Sequence, residues 1–129
     1  MRAVDTNVLV RLVVRDHAQQ LAAATAYIEK GVWASLLAVA ETIWVLASVY
    51  GKTAQEIVAA VEMLLHEKHL TIQDHDVVTA ALEHFRTRPA LGFSDCLLLE
   101  IARKAGHLPL GTFDRNLGKL DGAEKLQKH

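Results

Sequence analysis

VWASLLAVAETIWVLASVYG, residues 32–51, carries the alternation that decides the fold. Val32-Trp-Ala34 is apolar but too brief for a helix, and a buried strand suits it. Ser35 follows with a hydroxyl able to accept from the free amides of a helix start, and Gly51 closes the run as glycine commonly does past a helix end. Between them, 12 of the 15 residues from Leu36 to Tyr50 are apolar and Glu41 is the single charge. The stretch is too short and too charged to span a membrane, so it reads as a buried helix.

Outward from this pair the same alternation repeats. Met1 to Val4 reads as a first strand, Asp5-Thr6-Asn7 as a turn, and Val8 to Val14 as a helix. Asp16 with Gln19 three positions on predicts the start of a helix that ends at Gly31, and Thr53-Ala-Gln-Glu56 is a capping box for a helix to about His66. Leu70 to Ile72 is a third strand, Asp76 to Phe85 a helix, and Thr87 to Gly92 a loop marked by its proline and glycine. Ser94 is expected to cap a helix ending at Gly106. A last apolar strand lies within His107 to Thr112, with Phe113-Asp114 where it ends. Strands separated by helices cannot pair as hairpins, so the expected fold is α/β, a mainly parallel sheet with helices on both faces. Ligands of such sheets bind where strands end, and Asp5 and Asp114 fall there.

A chain of 129 residues suits one domain, 1–129, and 51% hydrophobic with 22% charged residues indicates a packed core. The formal net charge of -1 excludes a protein that wraps nucleic acid through a general positive excess, so any such contact is local. Cys96, the single cysteine, rules out an internal disulfide. With no basic segment leading into an apolar signal core, the expected location is cytoplasmic, without a membrane partner.

Glu41 stands among Leu37, Ala38, Trp44 and Val45 at helical spacing. A carboxylate on such a face is desolvated unless it is ion-paired, protonated, bound to a cation, or turned to solvent. Asp5 has an alternative role as the cap of the next helix, Asp95 as a charge favoured by a helix dipole, and Asp114 as a turn residue. Taken together, the four are oxygen donors of the kind that hard divalent cations require. His66 and His69 lack the cysteine or histidine partners of a zinc site. No nucleophilic triad or phosphate-binding glycine loop is present.

Val4-Asp-Thr-Asn7, Ala40-Glu41 in an apolar helix, Phe93-Ser-Asp95 opening a helix and Gly111-Thr-Phe-Asp114 occur in this order across nearly the whole chain. This arrangement resembles the PIN-domain nucleases, particularly the VapC-type toxins of toxin-antitoxin pairs. The resemblance implies a PIN-like three-layer sandwich with a central sheet of four or five strands flanked by helices. It implies an acidic quartet of Asp5, Glu41, Asp95 and Asp114 holding Mg2+ or Mn2+, supported by hydrogen bonds from Asn7 and Thr112. It further implies endoribonuclease activity on structured RNA such as transfer RNA, homodimerisation, and inhibition by a cognate antitoxin protein. The family usually adds a final hydrophobic strand, whereas Leu120 to Leu126 is a poor strand sequence.

An RNA backbone approaching four acids needs a basic rim, for which Arg11 and Arg15, expected to share a helical face, Arg86 and Arg88 beside a loop, and Arg115 are candidates. A phosphotransfer domain with Asp5 as nucleophile would carry Asp-x-Asp, but Asn7 stands at the second position. The other alternative is a catalytically idle PIN-like module that only binds RNA or protein.

Overall fold

In the computed structural model, which describes residues 1–127, Val32–Ala34 is the central strand (β2) of a three-stranded sheet. Val32 and Ala34 point inward and are fully buried, while Trp33 points out. The flanking strands are Arg2–Ala3 (β1) and Leu70–Ile72 (β3), both parallel to β2, with Arg2 opposite Val32 and Val32 opposite Leu70. The parallel arrangement follows from the helices that intervene between the strands, as the alternation predicts.

The chain forms two compact units, Met1–His75 and the remainder from Asp76 on. The first holds that sheet and the helices Thr6–Val13 (α1), Ala18–Ile28 (α2), Leu36–Ser48 (α3) and Ala54–His66 (α4). Helix α1 packs on α2, α3 and α4, and Leu9, Val10, Leu46, Val61 and Leu64 fill the space between elements. Ser35 caps α3 by accepting from the Ala38 amide at 3.0 Å, and Thr53 and Glu56 form the reciprocal capping box of α4. Such caps are worth roughly 1 kcal/mol each.

Two local expectations are corrected. Helix α2 is capped by His17, whose Nδ1 accepts from the Gln20 amide, while Asp16 accepts from Arg11 at 2.7 Å. Since α1 ends at Val13, Arg15 lies beyond the helix and shares no helical face with Arg11.

The second unit contains His75–Thr87 (α5, whose first residue closes the first unit), Phe93–Ala105 (α6), Leu110–Thr112 (β4), a 3-10 turn at Leu117–Lys119 and Ala123–Lys125 (β5). Phe85 meets Phe93 edge to face at 5.8 Å, and Val78, Leu97 and Leu99 are also buried on these two helices. Gly92, not Ser94, is the N-cap of α6, so no side chain caps that helix. Gly106 ends it in the left-handed conformation, φ 83°, as its position predicts.

Leu120 to Leu126 does contain a strand, despite its composition. β5 pairs in parallel with β4, Leu110 opposite Ala123, and the Leu126 amide extends the ladder to the Thr112 carbonyl at 2.7 Å. Backbone placement overrides propensity here: Gly122 turns the chain at φ 92°, and Gly118 admits β5 so closely that an added Cβ would lie 2.8 Å from the Lys125 Cβ. All strand pairings among the described residues are parallel, and the fold is α/β with six α-helices, two to three residues per strand. Among these residues no helix is long and apolar enough to cross a membrane.

Candidate active site

Each unit carries two of the four acids. Asp5 follows β1 and caps α1, its Oδ1 accepting from the Val8 amide at 3.3 Å. The capping role read from sequence is thus realised, and it occupies one carboxylate oxygen only. Asp5 borders a cleft of about 350 Å³ with Val8 and Tyr27. Asn7 faces a second cleft of about 530 Å³, with Arg11, Gln20 and Tyr27 among its walls.

Glu41 is exposed, which corrects the expectation of a desolvated carboxylate. Helix α3 packs through Ala38, Val39, Thr42, Ile43 and Leu46; the opposite face presents Glu41 together with Leu37 and Trp44, 68% and 65% exposed. The polar side chain that α3 buries is Thr42, whose hydroxyl donates to the Ala38 carbonyl at 2.7 Å. Of the fates open to Glu41, turning to solvent is the one taken, with no ion pair or side-chain hydrogen bond among the described residues.

Asp95 lies in the first turn of α6, half-buried, where the helix dipole favours its charge. Gly92 makes room for it, since an added Cβ would stand 3.3 Å from the Asp95 Oδ2. Asp114 follows β4. Its amide donates to Thr112 Oγ1 at 3.0 Å and its Oδ1 accepts from the Leu117 amide at 2.7 Å, so Thr112 holds its backbone and the 3-10 turn its carboxylate.

Within each unit, among the described residues, no three His, Cys, Asp or Glu side chains gather closely enough to hold a metal ion. The chemistry of the donor set nonetheless suits a hard cation. None of the four acids is held in an ion pair among those residues, whereas Asp16, Glu56, Glu83, Glu100 and Asp76 are. Glu41 and Asp95 keep both oxygens unbonded, and Asp5 and Asp114 keep one each.

Other groups are accounted for by packing. Cys96 is buried, and that burial, reinforced by the neighbouring Asp95 charge, pushes its thiol up to about 11, so it stays protonated and unreactive. His66 turns its Nδ1 to the Glu62 carbonyl. Arg11 is tied to Asp16 and the Tyr50 hydroxyl, and Arg86 to Glu83. Sequence reasoning overlooked Glu100, which is buried in α6 and held by His84 at 2.9 Å and Arg103 at 3.2 Å. Its signal was a lone acid in the apolar run Leu97 to Ile101, with Arg103 one helical turn on.

A model of the PIN domain matches residues 2–123, and the chain belongs to the PIN domain family. That membership supports an RNA-cleaving hydrolase as the class of activity. Among solved structures, Mycobacterium tuberculosis VapC20, described as a toxin cleaving the sarcin-ricin loop, is similar at 20% identity. The likeness spans 92% of this chain and 93% of that one, with a TM-score of 0.43. No curated protein matches the chain.

Proposed function

We propose that this protein is a metal-dependent endoribonuclease, the toxin of a toxin-antitoxin pair, in which Asp5, Glu41, Asp95 and Asp114 hold Mg2+ or Mn2+. The supporting observation is the state of those four carboxylates: in a PIN-family chain, all four positions carry acids without an ion-pair partner and with at least one oxygen left to bind. A divalent cation bound by them would activate a water and neutralise the leaving oxygen of a phosphodiester. The chain's own part is to hold the carboxylates ready. Ser35 and the apolar face of α3 fix the helix that bears Glu41, while Thr112 and the Leu117 amide orient Asp114.

Partners are part of the same proposal: a structured RNA such as a transfer RNA, an antitoxin protein and a second copy of the chain. Leu37 and Trp44, large apolar side chains exposed two turns apart on the water-facing side of α3, support an association surface, because exposed apolar area commonly marks one. The two units together are proposed to make one PIN domain.

The test is incubation of purified protein with end-labelled RNA, with Mg2+, with Mn2+ and with EDTA. Cleavage should require the metal and leave 5′-phosphate and 3′-hydroxyl ends. Products ending in 2′,3′-cyclic phosphate, or cleavage undiminished in EDTA, would refute the mechanism. RNA binding without cleavage under any metal would favour an idle binding module.

A further inference from the structure

We propose that the cleft between residues 88–91 and the turn at residues 116–119 binds a phosphate of the RNA backbone, next to the nucleotide being cut. The inference rests on the nuclease reading for the identity of the polyanion, but the site itself is read from the second unit alone.

The cleft has a volume of about 380 Å³ and is lined by Arg88, Pro89, Ala90, Leu91, Asn116 and Lys119. Its lining holds two cations and no acid. Three other basic groups of this unit are already engaged: Arg86 with Glu83, Arg103 with Glu100, Lys104 with Asp76. Arg88 and Lys119 are exposed and make no ion pair or side-chain hydrogen bond among the described residues. Asn116 likewise leaves its side-chain amide unbonded. Guanidinium, ammonium and amide are the donors a phosphodiester oxygen takes.

Both walls are braced. The Arg88 amide donates to the His84 carbonyl and the Leu91 amide to the Arg88 carbonyl, each at 3.0 Å, with buried Leu91 as anchor. Opposite, the Gly118 amide donates to the Asp114 carbonyl at 3.0 Å and the Lys119 amide to the Asn116 carbonyl at 3.2 Å, with Leu117 and Leu120 buried beneath. Fixed backbone under each cation lowers the ordering cost of binding.

Each wall also runs directly into one of the acids. Leu91 leads through Gly92 into the first turn of α6, which bears Asp95, and Asn116 follows Asp114 by two residues. Asp114 itself caps the turn that carries Lys119, through the Leu117 amide. With a net charge of only -1, RNA must be gripped locally, and this cleft offers paired free cations alongside the acids.

The experiment has two arms. Amide spectra of the 15N-labelled chain in EDTA are followed while tetrauridylate, and separately inorganic phosphate, is added. Shifts should concentrate at 88–91 and 116–119, with tetrauridylate binding at least tenfold tighter than phosphate. Equal affinity would mark a free-phosphate site, and shifts elsewhere or none would remove the cleft from RNA binding; either result overturns the proposal. In the second arm the salt dependence of binding and of cleavage is measured for Arg88→Gln, Lys119→Gln, the double variant and Lys68→Gln. Each single variant should flatten the slope of log affinity against log salt by about 0.7, the double by about 1.4, and Lys68→Gln not at all. Equal slopes throughout overturn it. Shifts at the cleft in a wild-type chain that cleaves no RNA would sink the nuclease reading and leave the phosphate site standing.

Discussion

Glu41 shows how far one residue's surroundings reach. Because it faces water from a helix anchored through Thr42, Ile43 and Leu46, its substitution should cost almost no stability, within about 0.5 kcal/mol as for other surface positions. Glu41→Gln keeps the shape and removes the charge. Under the proposed function the variant should lose cleavage by at least 100-fold while its melting temperature and circular dichroism match wild type. Retained cleavage would remove Glu41 from the site. Its position was legible from sequence, but its exposure was not. When 12 of 15 residues are apolar, no polar stripe marks which face of the helix turns outward.

At the scale of the element, capping chemistry was legible at Ser35 and in the reciprocal pair of Thr53 and Glu56. Thr53 and Glu56 satisfy each other's backbone amides, and those hydrogen bonds, with Lys52 adding a smaller attraction, hold the Glu56 carboxyl below the usual glutamate range. Because the folded value is the lower one, this contribution is present above the ordinary value of about 4.3 and is lost as pH falls through the folded value. Thr53→Ala keeps the backbone amide but removes the hydroxyl, so the Glu56 titration, followed by carboxyl NMR, should move part of the way back toward ordinary glutamate; an unmoved titration would mean that the hydroxyl contributes nothing and the amide alone is the cause. Two other cap signals failed. Asp16 and Ser94 both resemble caps, but His17 and Gly92 take those places, because where a helix begins depends on the chain's entry path. The strand β5 was illegible for a related reason: Ala123-Glu-Lys125 has little strand propensity, and its pairing is decided by Gly118 and Gly122. Gly118→Ala should therefore displace β5 and cost about 1 to 3 kcal/mol, as overpacking does, measured by urea denaturation. An unchanged midpoint would show that β5 yields easily.

For the molecule as a whole, strand and helix alternation was enough to predict parallel pairing, because intervening helices leave no other short connection. The four acids were read as a set and not singly, since Asp5, Asp95 and Asp114 each have a local use, which the structure shows for Asp5 and Asp114. Thermal melts separate local use from the proposed common one. Like charges sharing a metal site repel until the cation arrives, so under the proposed function Mg2+ or Mn2+ should raise the melting temperature, through a stabilisation of roughly 2.7 kcal/mol at 100 times the dissociation constant. Asp95→Asn should lose most of that rise and be no less stable than wild type without metal. If Asp95 serves only the α6 dipole, the variant should instead lose about 0.3 to 1 kcal/mol and respond to metal as before. The brevity of the strands has a further result. With two or three residues in each, few sheet amides lie far from an end, whereas the interiors of α3, α4, α5 and α6 carry fully buried Leu46, Val61, Val78 and Leu99. In heavy water, then, the amides that keep their protons longest should belong to the helices, and the parallel ladders, though they order the chain, should exchange ahead of them.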